Sequence, residues 1–202
     1  GLHETIDIIQ YCFNINSEIK FEVGTEEAIW KFELKELEIF LITLKKKLTA
    51  EQFSRIIYIV VQSGIAIDLV NMQSKGEYNS NRLCEMVELV HDFGKLSKEH
   101  NADYLSPNTI KDRFALGIDA INIAPKLGQI ETCAIIELFI KNENLLDELF
   151  EICYNSKRWE KWVQKDYDPF NNQLELIKIC AHYIFSDKNF VSLIKILSNK
   201  LG

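Results

Sequence analysis

The feature that most constrains this chain is an alternation. Four short runs rich in β-forming residues each precede a longer stretch of helical periodicity: residues 19–25 (IKFEVGT), 56–62 (IIYIVVQ), 95–100 (KLSKEH) and 120–125 (AINIAP). Such an order reads as βα units on a parallel sheet, because two parallel neighbours need a crossover long enough to hold a helix. The second run is apolar without alternation, as suits a strand covered on both faces. The third is polar, and periodicity alone does not mark it as a strand. Helices are expected over 34–46, 50–56, 80–93, 107–116 and 129–141. Ser106 followed by Pro107 fixes one helix start, since Ser caps free N–H groups and Pro in the first turn forfeits no hydrogen bond.

Four βα units cannot close an eight-stranded barrel, and an open four-stranded sheet leaves edges and one face uncovered. The chain therefore reads as α/β, the C-terminal half of a (β/α)8 TIM-type barrel over residues 1–141. The helical pattern over 6–13 starts almost at Gly1, so the first four strands are expected on residues N-terminal to this chain. A half-barrel should bare inward strand faces such as IIYIVV, and must then find its own missing half or a second copy. After residue 142 the strand patterns stop. Helical patterns over 145–153, 156–164, 172–185 and 189–201 form a C-terminal appendage, 142–202, expected to pack on the barrel.

Charge and cysteine usage narrow the partners. With 30 acidic and 23 basic residues the formal charge is −7, which opposes the attraction to phosphate backbones that nucleic-acid binders require. Trp159 and Trp162, interleaved with Lys157, Arg158 and Lys161, have the residue types of a base-stacking platform. Their i, i+3 spacing instead puts both indoles on one helical face, for packing on the barrel or a partner. Charged residues interrupt every apolar stretch before it reaches the roughly 18–20 residues that span a bilayer, and the N-terminus lacks a secretory pattern. Cys12, Cys84, Cys133, Cys153 and Cys180 are scattered through helical apolar patterns, which suits buried thiols in a reducing cytoplasm. A soluble, cytoplasmic protein is expected, without nucleic-acid or membrane partners.

In a barrel of this kind the ligand site lies at the C-terminal ends of the strands, and here those ends are polar. The first run closes FEVGTEE, with Glu22 inside it and Glu26 and Glu27 after Gly24; the others close VVQSG, KEHNADY and NIAPKLG. Glu26, Gln62, His100, Asp103, Asn122 and Lys126 are thus expected to converge above the sheet. His100 suits general acid/base work, since imidazole titrates near neutrality, with Glu26 and Asp103 as catalytic carboxylates beside it. The same three residues offer two carboxylates and an imidazole to a divalent metal such as zinc. Gln62 and Asn122 are placed to bind a ligand's hydroxyls, and Lys126 to hold a phosphate beside the helix start expected near Gly128. Each has a structural counterpart: a hydrogen-bonded mouth histidine, solvated carboxylates at a helix start, a buried amide bonded to a neighbouring strand, an exposed loop lysine. His3, His91 and His182 read as structural, and no nucleophile elbow, P-loop or dinucleotide glycine pattern occurs.

These strand ends also carry a resemblance. FEVGTEE is similar to the Gly-Thr-Glu strand end of the non-catalytic subunits of class II tagatose-bisphosphate aldolases, RIIYIVVQSGIAID to their Val-Val-Gln-Pro-Gly strand, and KEHNADY to their His-x-x-Asp-Tyr strand. AINIAPKLG occupies the place of a Gly-Pro strand end, SKRWEKWV of a Tyr-Trp stretch, and CAHYIFSDKNF of a Tyr-Ser-Asp-Arg segment. The order holds over residues 5–198. Three positions depart from the pattern: Ser63 stands where Pro is usual, Asn122 where Lys is usual, and Lys126 follows Pro125 instead of preceding it. The resemblance implies an accessory subunit that supports the activity and stability of a separate zinc-dependent catalytic subunit in galactitol and N-acetylgalactosamine catabolism. The partners it implies are a phosphorylated sugar, a class II aldolase catalytic subunit or the chain's own N-terminal half, and further copies in a homo-oligomer. The alternatives are a stand-alone metal-dependent aldolase or epimerase acting on a phosphorylated sugar, and a degenerate half-barrel kept for protein association.

Overall fold

The computed structural model describes residues 1–24, 32–141 and 143–201. It divides into two compact units: residues 1–67 with 74–122, and residues 68–73 with 123–202.

The first unit is a parallel sheet with helices against one face. Its strands are β1 (Phe21–Val23), β2 (Ile56–Val61), β5 (Leu96–Glu99) and β6 (Ala120–Ile121), adjacent in that order. All three neighbouring pairs are parallel, with Glu22 opposite Tyr58, Val60 opposite Lys98, and Glu99 opposite Ile121. These are the four runs read from the sequence, each shorter than expected and in the expected order. Around them lie α1 (Leu2–Ile15), α2 (Leu34–Lys47), the short α3 (Ala50–Ser54), α4 (Ser80–Asp92) and α5 (Pro107–Ala115). Their starts follow local chemistry. Thr49 and Gln52 cap α3 reciprocally through side chain and backbone, the Asn79 side chain accepts from the Arg82 N–H, and Ser106 accepts from the Thr109 N–H ahead of Pro107.

One core joins helices to sheet: Ile6 and Ile9 from α1, Leu37, Phe40, Leu41 and Leu44 from α2, Leu83, Met86, Val87 and Val90 from α4, and Val23, Ile56, Ile59 and Val61 from the strands. Side chains alternate faces along a strand, so Glu22, Tyr58, Lys98 and His100 fall on the sheet face away from this core. That corrects one expectation. The face is polar and charged, with Val60 already buried, where bare apolar strand surface was anticipated.

Between β2 and α4 the chain forms a two-stranded sheet, β3 (Ile65–Asp68) and β4 (Gln73–Gly76), absent from the sequence reading. Its signal is the alternation of buried Ile65, Ile67 and Leu69 with less buried neighbours.

The second unit is helical: α6 (Pro125–Phe139), α7 (Glu143–Ser156), α8 (Gln173–Cys180) and α9 (Lys188–Leu201). Its core includes Ile136, Phe139, Leu149, Phe150, Cys153, Leu176, Ile177, Cys180 and Leu193. The helix expected over 156–164 is instead a 3-10 turn, Glu160–Trp162, so the two indoles do not share an α-helical face. Trp159 stacks on Tyr154 and gives its N–H to the Tyr154 carbonyl, while the Trp162 N–H bonds the Tyr183 hydroxyl. No helix among the described residues is long and apolar enough to cross a membrane.

Candidate functional site

The C-terminal ends of β1 and β5 bring three charged or titratable side chains together. Glu22, in the middle of β1, accepts from Lys98 Nζ at 2.6 Å on one carboxylate oxygen and meets His100 Nε2 at 2.7 Å on the other. Because β2 lies between these strands, Lys98 and His100 reach across it, and Lys98 Nζ passes 5.7 Å from the centre of the Tyr58 ring. All three are half-buried, with side-chain exposures of 31%, 21% and 25%. Burial raises the Glu22 pKa, but hydrogen bonds and attraction from Lys98 and His100 outweigh it and hold the carboxyl below the ordinary glutamate value. The cluster is a charged carboxylate with two donors at a strand mouth. It can offer a cation to a phosphate and a carboxylate–imidazole pair to hydroxyls.

Gly24, directly after β1, makes this approach possible. At φ 152° a side chain would be strained, and a Cβ would lie 2.5 Å from the Val60 Cβ. The strand can press against β2 there only as glycine.

On the opposite face of β5 the neighbouring residue builds a different structure. Glu99 is 1% exposed, and its Oε2 accepts from Arg113 Nε of α5 at 3.1 Å. The Arg113 guanidinium stacks on the Tyr78 ring, its carbon 3.3 Å from the ring centre. Oε1 lacks a well-formed hydrogen bond, although the buried Ser63 hydroxyl flanks it. Burial therefore pushes the Glu99 carboxyl above its ordinary value, against the pull of Ser63 and Arg113.

Of the residues singled out in the sequence, His100 is in the cluster. Glu26 and Glu27 lie outside the described residues. Gln62 is buried and acts on the protein itself: its side-chain oxygen accepts from the Phe32 N–H at 2.7 Å, and its carbonyl from Arg82 Nε at 2.9 Å. Arg82 also pairs with Glu33 at 2.8 Å, so the two side chains clamp the entry to α2. Asp103 is buried in the turn after β5. Asn122 extends the sheet through its backbone, donating to Glu99 O at 2.8 Å and accepting from the Ala102 N–H. Lys126 belongs to the second unit, in the first turn of α6, because that helix starts at Pro125 and not near Gly128. Among the described residues, no three His, Cys, Asp or Glu side chains form a group that could hold a metal.

Sequence reasoning passed over Lys98, Glu99 and Arg113, and noted Glu22 without a role. The signal for the first two was present: in LSKEH, strand alternation sets Lys98 and His100 on one face and Glu99 on the other. Arg113 reads as an ordinary surface residue of α5 until its burial is seen.

No protein-family model matches the chain, and no curated protein matches it. Among solved structures the chain is similar to the YdjI aldolase from Escherichia coli K12, at 13% identity and a TM-score of 0.42, over 98% of this chain; it spans 55% of the length of that aldolase.

Proposed function

We propose that the chain is the second half of a (β/α)8 sugar-phosphate barrel and serves as the accessory, stabilising subunit of a class II tagatose-bisphosphate aldolase. The observation that carries this reading is the meeting of Glu22 with Lys98 and His100 across an intervening strand. The interior of such a barrel is filled in layers whose members come from alternate strands, and β1 and β5 are alternate strands of this sheet. The strand-end motifs of the sequence lend the family, and the cluster lends the ligand chemistry: Lys98 for a phosphate, Glu22 and His100 for sugar hydroxyls. Both donors are already engaged by Glu22, an arrangement suited to holding a ligand more than to moving its protons.

The test is a coupled aldolase assay on tagatose 1,6-bisphosphate, with the chain alone, a class II catalytic subunit alone, and both, each with and without divalent metal. The accessory reading expects no turnover from the chain, and a longer-lived or more active catalytic subunit in the mixture. Lys98→Ala should weaken that support and the chain's own binding of the sugar bisphosphate. Metal-dependent turnover by the chain alone, abolished in His100→Ala, would establish the stand-alone enzyme instead. A mixture no better than the catalytic subunit by itself would remove the accessory role.

A further inference from the structure

Helices α1 and α2 are apolar on two sides. Their inner sides carry Ile6 and Ile9, and Leu37, Phe40, Leu41 and Leu44, into the core. On the outer side of α1, Glu4, Ile8, Tyr11 and Ile15 recur at intervals of four, three and four, and so form one stripe. On the outer side of α2, Lys35, Ile39, Ile42 and Lys46 repeat that spacing. Ile8, Tyr11, Ile15, Ile39 and Ile42 are between 49% and 69% exposed. Alternating steps of three and four mark the seam along which two helices pack, and a helix covered on one side only has no need of them on the other.

We propose that this α1–α2 face is the contact between two copies of the chain, with α1 of one lying antiparallel on α2 of the other about a two-fold axis. Size and charge both favour a second copy. The five side chains leave on the order of 500 Å² of apolar surface in water, at the upper end for a monomer, and with their charged neighbours they approach the roughly 800 Å² per partner of a standard interface. The charges are segregated by end. Glu4 and Asp7 lie in the first half of α1; that of α2 holds Glu36 and Glu38 with Lys35, which Glu38 pairs, while α2 closes with Lys45, Lys46 and Lys47.

A parallel pairing also sets Glu4 against a lysine, the partner's Lys35, but that ammonium is already held by Glu38 at 2.7 Å, and Asp7 then falls beside the partner's Glu38. The antiparallel pairing sets Glu4 against Lys46 of the partner subunit, Ile8 against the partner's Ile42, and Tyr11 against the partner's Ile39. Ile15 then meets the stem of the partner's Lys35, whose ammonium also lies near the carbonyl end of α1. The arrangement is self-complementary, as an isologous contact must be.

Sedimentation equilibrium on the chain of residues 1–202 tests this directly. A dimer is expected at roughly 100 µM, a concentration that populates an interface of standard size. Tyr11→Glu and Ile42→Glu, both at exposed positions, should weaken it by on the order of 30-fold or more while circular dichroism and melting stay as in the parent. Glu4→Lys and Lys46→Glu should each weaken the dimer, and the double variant should regain most of the loss. A monomeric parent chain overturns the proposal, including one whose α1–α2 face instead binds a different protein. So does an oligomer indifferent to Tyr11→Glu and Ile42→Glu, and a charge-swapped double variant weaker than both singles points to the parallel contact and refutes the antiparallel one.

Discussion

Replacing Arg113 with Met should be among the most damaging single changes in the first unit, and its cost should depend on pH. Arg113 and Glu99 are 3% and 1% exposed, so removing the guanidinium strands a carboxylate that water cannot reach. Breaking a buried pair in this way costs roughly 3–5 kcal/mol, and loss of the stack on Tyr78 adds about 1 kcal/mol. At about 2–4 °C per kcal/mol for a chain of this length, the melting point should fall by roughly 8–24 °C near neutral pH. Even with Arg113 present, burial holds the folded Glu99 pKa above its unfolded value. A carboxyl in that position favours the folded state fully below its unfolded pKa, and that contribution is lost as pH rises through the folded value. Arg113→Met removes one of the influences pulling the folded pKa down, so its penalty should shrink as pH is lowered from about 7.5 towards about 5. Glu99→Gln in the same background should restore most of the loss at neutral pH, because no charge is then stranded. Urea unfolding of the four proteins of this cycle at both pH values gives the answer. A penalty that ignores pH, or a double variant no better than Arg113→Met, would show that the cost lies in packing and not in a buried charge.

Three further outcomes are expected. The Glu22 carboxyl should titrate below the usual glutamate range by carbon-detected NMR and return towards it in Lys98→Ala; its depressed pKa favours folding above the unfolded value and is lost as pH falls, worth at most about 1 kcal/mol for so accessible a pair. An unmoved titration would mean that the pairing is absent in solution. Gly24→Ala should cost roughly 2–4 kcal/mol from backbone strain plus the clash with Val60, and Val60→Ala should relieve part of it, both read by urea unfolding. Finally, the Cys180 thiol beside it and burial both push the Cys153 thiol pKa up, so mass spectrometry after brief alkylation of the native chain should find Cys153 unmodified while partly exposed Cys12 reacts.

The parts of the fold legible in the sequence are those where burial follows hydrophobicity. β2 is legible because IIYIVV is apolar throughout, and α5 because Ser106 and Pro107 announce it. β5 is instructive because its place in the alternation marks it as a strand where periodicity fails to. Its core-facing positions are Ser97 and Glu99, both buried, and each is met by a residue far along the chain: Asp119 accepts from the Ser97 N–H at 2.7 Å and pairs with its hydroxyl at 2.8 Å, and Arg113 bonds one carboxylate oxygen of Glu99. A strand whose inward side chains are polar shows no hydrophobic period, and the partners that make it tolerable are fixed only by the tertiary fold. The 3-10 turn at Glu160–Trp162 fails for the opposite reason. Its i, i+3 indoles mimic helical periodicity, yet each indole N–H is drawn to its own partner, Tyr154 or Tyr183, and the two contacts do not share a face.

The same logic separates the polar groups of this sheet by end. Before the strands begin, Asp119 gathers Ser97 and His91, and Lys95 gives its ammonium to the Phe53 carbonyl at 2.7 Å while resting 4.3 Å from the Phe53 ring centre. Each of these groups binds a helix end or a strand start to its neighbour, so their satisfaction is internal and their role is stability. At the other end, among the described residues, Glu22 is joined to Lys98 and His100 through side chains alone. Exposure does not separate the two ends, since His91 and Asp119 are 42% and 27% exposed; the partners do, for Asp119 and Lys95 hold the backbone groups of Ser97 and Phe53. Side chains that bond only one another can exchange a partner for a ligand without releasing a backbone group, and this difference between the two ends is the physical reason to look for the ligand at the Glu22 end of the sheet.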